Sequence, residues 1–221
     1  MSKKIKDENG NVYVKKKPFY KRVWFWILAI IVIAIVGGSM SGKSKSDSSS
    51  SNASSSSSKK ETNKINKDNF DKITVSDSTG TSPSDVKEMF GKSPNSTSEQ
   101  TVENVKAKMY TWSGVANGDI TSSIVIGFEN DHAISKAISG LKVTRSSKIT
   151  LSDFDSLENG TSKADVTSKF GDPNGYSYTN IAGQESEIWE YTSGVKGDLG
   201  ANFSVTFDNG VVSGKTQTSM K

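Results

Sequence analysis

An internal repeat restricts the fold of this chain more than any other feature of its sequence. The run Gly80–Pro94 begins with Gly-Thr-Ser and contains Asp-Val, Phe-Gly and proline in the same order as the run Gly160–Pro173. Further along, Phe128-Glu-Asn corresponds to Phe207-Asp-Asn at an offset of 79 residues. A match that persists over a whole unit indicates the duplication of one structural unit. The sequence therefore predicts two tandem repeats of one fold.

Each repeat begins with the signals of a short helix. Ser82 and Ser162 are typical N-cap residues, and an aspartate follows each of them three residues later, as in a capping box. Gly91 and Gly171 follow the helical runs, and glycine is the residue type that most often ends a helix. We therefore expect both helices to be short and to have defined ends.

After each helix the sequence changes to the alternation of apolar and polar residues that is typical of strands. The clearest strand runs are residues 107–113, 122–128, 187–192 and 201–207. Asn209-Gly210 suits the tight turn of a hairpin. We predict an α+β fold of two tandem repeats, residues 68–146 and 147–221. Each repeat would be a short helical segment followed by an antiparallel sheet of about four strands.

The N-terminal part has the pattern of a single membrane-spanning helix. Residues 1–22 form a basic tail with eight basic and two acidic residues, and residues 23–42 contain no charged residue. Twenty residues at about 1.5 Å each cover the ~30 Å hydrocarbon core of a bilayer. The positive-inside rule then predicts a cytoplasmic N-terminus, an extracellular C-terminal domain and a lipid bilayer contact through residues 23–42. A cleaved signal peptide is the alternative, because Ser39 and Ser41 are small residues that suit a peptidase.

A serine-rich segment separates the predicted anchor from the repeats. Of the 20 residues from Ser39 to Ser58, 13 are serine. Such a composition provides no apolar face that a fold could bury. We therefore predict a disordered linker over residues 43–67.

Composition and context exclude several functional classes. The chain has no cysteine, so Cys-ligated metals lack their ligands, and a Ser-His-Asp triad would have to use the single histidine, His132, without a G-x-S-x-G elbow to present the serine. Residues 70–221 contain 14 basic and 19 acidic residues, the wrong balance for binding nucleic acid. Residues 37–44 match the P-loop pattern, but a serine-rich stretch follows where a P-loop requires a helix. We predict no catalytic residue, no cofactor, no metal, no nucleotide and no nucleic acid.

The repeated unit carries a resemblance to a known family. Gly-Thr-Ser-x-x-Asp-Val-x-x-x-Phe-Gly-x-x-Pro, followed by an aromatic strand and a Phe-Asp/Glu-Asn hairpin, resembles the tandem-repeat domain of Gram-positive cell-surface proteins with a fold similar to beta-lactamase inhibitory protein. The resemblance covers residues 68–221, and residues 17–26 resemble the membrane anchors of lactic-acid-bacterial surface proteins. In inhibitor relatives the exposed face of the sheet binds a protein partner. Many relatives with this ectodomain are lipoproteins, whereas this chain has no cysteine.

Four aromatic residues are the candidate partner-binding residues. Tyr110 and Trp112 form one pair, and Trp189 and Tyr191 form the other. The i, i+2 spacing puts the members of each pair on the same side of a strand. They belong to the core if that side meets the helices, and they form a patch that binds a protein or stacks on sugars if that side is open.

Together these features predict a membrane-anchored, extracellular, non-catalytic binding module for a protein or a cell-wall component. An envelope structural or assembly factor is the first alternative. A remote alternative is a wall hydrolase that uses two carboxylates, for which Glu185 with Glu187 or Asp153 with Asp155 are the available pairs. Inhibition of a beta-lactamase would follow from similarity of fold alone, which is a weak basis for function.

Overall fold

The computed structural model describes residues 4–6, 12–14, 63–102, 105–181 and 183–221. Two short strands near the N-terminus, β1 (Lys4–Lys6) and β2 (Val12–Val14), pair in antiparallel fashion. The predicted anchor, residues 23–42, and most of the predicted linker lie outside the described residues. Within the described ranges, no helix is both long enough and apolar enough to cross a membrane.

The remaining described residues form four short helices and eight strands. The helices are α1 (Lys67–Asp71), α2 (Pro83–Phe90), α3 (Leu151–Asp155) and α4 (Lys163–Phe170). The strands of the first half are β3 (Ser96–Val102), β4 (Val105–Ser113), β5 (Gly118–Glu129) and β6 (His132–Leu141). Those of the second half are β7 (Gly175–Ile181), β8 (Gln184–Tyr191), β9 (Gly197–Asp208) and β10 (Val211–Met220).

The prediction of two repeats, each with its own sheet of about four strands, is wrong. The strands β3 to β10 form one antiparallel sheet of eight strands in chain order, so the fold is mostly β with few helices. The joint lies between β6 and β7, where Ser135 pairs with Thr179 and Ile138 pairs with Tyr176. Two separate sheets would leave the edges of both strands with unpaired N–H and C=O groups. Pairing these edges satisfies both strands, and the sequence pattern contained no signal for it.

The N-cap and C-cap residues agree with the prediction, although the reciprocal bond of a capping box forms at Thr150 and Asp153 and not at Ser82 or Ser162. The Ser82 side chain accepts a hydrogen bond from the backbone of Asp85, and Ser162 does the same for Asp165. Gly91, with φ of 69°, takes the left-handed conformation after α2 that glycine adopts at low cost. Ile65, which the prediction places in the linker, is only 1% exposed and belongs to the core.

The helices pack against the sheet through two hydrophobic clusters. The first contains Phe70 and Phe90 from α1 and α2, packed with residues of β4, β5 and β6. The second contains Phe154 and Phe170 from α3 and α4, packed with residues of β8, β9 and β10. Because side chains alternate along a strand, the residues between these core positions lie on the opposite side of the sheet.

Candidate functional site

Two of the four predicted partner-binding aromatics are completely buried. The ring of Trp112 lies edge-on to that of Phe90, with centroids 5.0 Å apart, and its indole nitrogen donates to the carbonyl oxygen of Lys92 at 3.0 Å. The ring of Tyr191 stacks on Phe203 with centroids 4.4 Å apart. The environment of both rings is that of a core residue.

The other two aromatics lie on the same side of the sheet. Trp189 is 7% exposed and packs against Phe207 at a centroid distance of 4.7 Å. Tyr110 is half-buried against Phe128 at 5.1 Å, and the ammonium group of Lys87 lies over its ring. Contact between a partner and these four aromatics stays a prediction that no observation tests, and their packing favours a structural role.

The opposite side of the sheet, which no described helix covers although its central residues are buried, is the candidate functional site, and we call it the open face. It consists of three rows of cross-strand neighbours on β4 to β9. The first row is Met109, Gly127, Ser135, Thr179 and Ser186. The second row is Thr111, Val125, Ala137, Ser177, Ile188 and Thr206. The third row is Ser113, Ser123, Ser139, Gly175, Glu190 and Ser204. The described helices that pack in the two hydrophobic clusters lie on the other side of the sheet.

Hydroxyl groups and small side chains dominate the open face. Several of these hydroxyls pair with one another across strands, as in Ser123 with Ser139 at 3.3 Å and Ser204 with Thr216 of β10 at 2.8 Å. Glu190 is the only ionisable residue in the three rows. The open face is therefore polar but almost uncharged, whereas a surface that contacts only water usually carries many charged side chains.

The central strands of the open face form a floor of small residues. Gly127 on β5, Ala137 on β6 and Ser177 on β7 lie between the larger side chains of Met109 on β4 and Ile188 on β8. Strands in a sheet are about 4.8 Å apart, so roughly 19 Å separates β4 from β8. This width is sufficient for a loop of another protein.

Two hydroxyls on the floor have no hydrogen-bond partner within the described part of the chain. They are the side-chain oxygens of Ser177 and Ser186, whose residues are 3% and 5% exposed. Buried polar groups in native proteins are nearly always paired, and an exception requires an explanation. A ligand or partner that occupies the floor would supply the missing bonds.

A family comparison places the chain among known sequences. Residues 54–220 match the model of a domain family described as a domain of unknown function with a solved structure, DUF3862. The chain belongs to the DUF3862 family. No curated protein is similar enough to this DUF3862 chain to count as a match.

A solved structure supports the fold of this DUF3862 protein. The crystal structure of a Streptococcus mutans protein, named "putative beta-lactamase inhibitor protein", was determined at 1.40 Å resolution. It is 28% identical in sequence to this chain and superposes with a TM-score of 0.53. The match covers 69% of this chain and 94% of the Streptococcus mutans chain. The sequence resemblance to beta-lactamase inhibitory protein is thus confirmed at the level of the fold.

On the helix side of the DUF3862 sheet, a cavity of about 300 Å³ has polar walls that bond one another. The ammonium group of Lys136 donates to the carbonyl oxygens of Phe70 and Ile73 at 3.1 and 2.8 Å. Burial lowers the pKa of Lys136 to about 8, against the opposing effect of Asp71. The carboxylate of Glu187 accepts hydrogen bonds from Lys163 and from the indole of Trp189. This network occupies the charged groups of Lys136, Lys163 and Glu187 in structural hydrogen bonds.

One member of each carboxylate pair that a hydrolase would need has a structural role. Asp153 accepts hydrogen bonds from the side chain and the backbone of Thr150 at the start of α3, and these bonds hold its pKa below the usual value. Glu185 is exposed and bonds Asn180, while Glu187 belongs to the buried network. Among the residues that the structure describes, no three His, Cys, Asp or Glu side chains are placed to hold a metal ion.

Sequence reasoning missed the open face although its signal was present. Trp112 lies between Thr111 and Ser113, and Glu190 follows Trp189. This alternation predicts strands with an aromatic side and a polar side. The sequence favours the aromatic side as the binding site, because aromatic residues dominate many interfaces. Packing puts the helices on the aromatic side, so the hydroxyl-rich side is the one without described helices.

Proposed function

We propose that this chain is a non-catalytic binding module whose open face takes a protein partner. The observation that carries the proposal is the pair of buried, unpartnered hydroxyls of Ser177 and Ser186 on a face that no described helix covers. The similarity to the Streptococcus mutans protein supports the same role, since its name assigns it inhibition of another protein. The occupied carboxylates of Asp153 and Glu187 favour binding over hydrolysis.

The size and chemistry of the face suit a protein better than a small molecule. Interfaces of specific complexes bury about 800 Å² on each partner, and a face six strands wide offers an area of that order. Paired hydroxyls with few charges provide hydrogen bonds at a low desolvation cost, because no ion has to leave water except Glu190. The name of the solved neighbour makes a beta-lactamase the first candidate partner to test.

Site-specific photo-crosslinking in living cells tests this proposal. A benzophenone amino acid replaces Thr111 on the open face in one variant and Ser168 on the exposed side of α4 in the control variant. We expect a discrete crosslinked protein from the Thr111 variant and none, or a different one, from the Ser168 variant. Equal adducts from both positions, or adducts from Ser168 alone, would show that the open face is not the binding surface.

Purified beta-lactamase provides a direct arm of the same test. The full-length protein is titrated into a class A beta-lactamase, and hydrolysis of a chromogenic cephalosporin is followed. Inhibition that a Val125→Trp substitution abolishes would identify both the partner and the face. Absence of inhibition leaves a protein partner other than this enzyme, which the crosslinking arm identifies.

We further propose that the module works outside the cell membrane. The eight basic residues before position 23, against only Lys43 and Lys45 between residues 23 and 58, support this orientation. Protease added to intact cells should remove a C-terminal epitope tag and spare an N-terminal one. Protection of the C-terminal tag until the cells are lysed would contradict the proposal.

A further inference from the structure

We propose that Glu190 is the recognition point of the open face for a basic side chain, a lysine or an arginine, on a protruding loop of the protein partner. This inference rests on the proposed function and specifies the chemistry of the partner. Three observations support it: the position of the carboxylate, the charges of its surroundings and the unpartnered hydroxyl beside it.

The carboxylate of Glu190 lies against the backbone of β7. Glu190 pairs with Gly175 on one side and Ser204 on the other. A side-chain carbon added at Gly175 would lie 3.2 Å from a carboxylate oxygen of Glu190 and 2.9 Å from the carbonyl oxygen of Ile138. Because Gly175 has no side chain, a carboxylate oxygen of Glu190 can lie close to the backbone of β7.

The open face contains no cation that could neutralise this carboxylate. Nearby basic side chains are on the helix side, where Lys136 and Lys215 donate to backbone carbonyls at the ends of α1 and α3. Arg145 donates to the carbonyl oxygens of Phe170 and Ser193. In the described part of the chain, Glu190 forms no salt bridge. Burial raises its pKa, because its charged form loses water without gaining a partner.

The neighbouring hydroxyls suit the remaining donors of a basic group. Ser177 lies two residues from Gly175 on the same side of β7, diagonal to Glu190, and its hydroxyl is buried and unpartnered. A lysine ammonium has three N–H donors and an arginine guanidinium has five, more than one carboxylate satisfies. Glu190 therefore provides one charged acceptor and Ser177 one unpartnered neutral acceptor for a single cationic group, beside the Ser204 hydroxyl that already bonds Thr216.

A bare metal cation fits this arrangement less well than a basic side chain. Calcium requires six to eight oxygen ligands, usually including several carboxylates, and Glu190 is the only carboxylate in the three rows. A charge-assisted hydrogen bond at the centre of an interface is a typical hot spot. Removal of the charge at Glu190 should therefore weaken binding of a basic loop by at least about tenfold.

Selection from a library of disulfide-constrained random loops, displayed on phage, tests the inference with a defined probe. The full-length protein is the target, and binding of each selected loop is then measured against three variants. Glu190→Gln removes the charge, and Val125→Trp fills the open face with a neutral side chain. Glu185→Gln is the matched control, because Glu185 is on the same strand but on the side opposite to Glu190. Thermal unfolding shows that each variant is folded.

Each outcome bears on one of the two proposals. Loops that are blocked by Val125→Trp, enriched in lysine or arginine, and at least tenfold weaker against Glu190→Gln but not Glu185→Gln would support the role of Glu190. Loops that are blocked by Val125→Trp but lack basic residues, or bind Glu190→Gln as well as wild type, would overturn that role and leave the open face as a binding site. If Val125→Trp blocks none of the selected loops, the proposed function itself is wrong.

Discussion

The ammonium group of Lys136 lies 2.8 Å from the carbonyl oxygen of Ile73, and so joins a sheet strand to the segment that follows α1. The same group also donates to the carbonyl oxygens of Phe70 and Asp71. A helix leaves its last carbonyls without intrahelical partners, and here a buried side chain bonds that of Asp71 and adds a donor to that of Phe70, which also accepts from the backbone of Ile73. Lys215 forms the corresponding bonds to Phe154 and Asp155 in the second half of the chain. Lysine side chains of the sheet thus stabilise the C-terminal ends of both α1 and α3.

Replacing Lys136 with methionine should lower the free energy of unfolding by about 1–3 kcal/mol, because it leaves the carbonyl oxygens of Asp71 and Ile73 without this donor. Chemical denaturation measures this loss. As a control, Lys169→Met changes a lysine whose residue is exposed on α4, and should cost less than about 0.5 kcal/mol. Equal losses from the two variants would contradict the bonding role of Lys136.

The pH dependence of stability should show the lowered pKa of the same group. Burial lowers the pKa of Lys136 from 10.5 to about 8, so between these values the unfolded chain binds more protons than the folded chain. Stability therefore rises with pH in this window. The comparison is limited to pH 8–10. Burial raises the pKa of Tyr178 and Tyr191, so above pH 10 these tyrosines lose their protons only in the unfolded chain, and the free energy of unfolding falls. The free energy of unfolding, measured by chemical denaturation, should increase from pH 8 to pH 10 in the wild type and increase less in Lys136→Met.

Replacing Trp112 with alanine should cost about 3–5 kcal/mol, because the ring is fully buried against Phe90 and its indole nitrogen bonds Lys92. Trp112→Phe keeps most of the contact and should cost clearly less. Thermal unfolding followed by circular dichroism distinguishes the two. A folded Trp112→Ala variant of wild-type stability that loses only partner binding would instead favour a direct role in recognition.

Replacing Ser177 with alanine should leave stability unchanged or slightly increased, since its buried hydroxyl has no partner in the described structure. Ser122 provides the matched contrast. Its equally buried hydroxyl accepts from the backbone of Val115 and donates to the carbonyl oxygen of Asp119 at 2.7 Å. Ser122→Ala should cost about 1–3 kcal/mol. A comparable cost at Ser177 would reveal an internal partner and remove the main support for the proposed function.

Replacing Gly175 with alanine should destabilise the fold by about 1–3 kcal/mol, because the added carbon would meet the backbone oxygen of Ile138 at 2.9 Å. It would also press on the carboxylate of Glu190. Gly214→Ala is the control in the same sheet, since an added carbon there meets nothing within 4 Å. Denaturation should show a clear loss only for Gly175→Ala, and two equal effects would contradict the close approach.

Local features of this fold were predictable from the sequence. The N-caps at Ser82 and Ser162 depend on residues three positions apart, and their hydrogen bonds form as expected. Non-local features were not predictable. The pairing of Ser135 with Thr179 joins the two halves into one sheet, and the bond from Lys136 to Phe70 spans 66 residues. Neither leaves a periodic pattern, because each depends on how distant segments meet.

The sequence by itself determined the helix ends, the alternation along the strands and the chemistry of the two strand sides, because neighbours in the chain control caps and side-chain direction. Tertiary structure alone decided which side the helices cover. Helices α2 and α4 place Phe90 and Phe170 against the aromatic side, which removes Trp112 and Tyr191 from solvent. The hydroxyl-rich side, with Glu190 in its third row, remains as the open face. The reason is physical: alternation gives a strand two different sides, and only packing selects the one that the core covers.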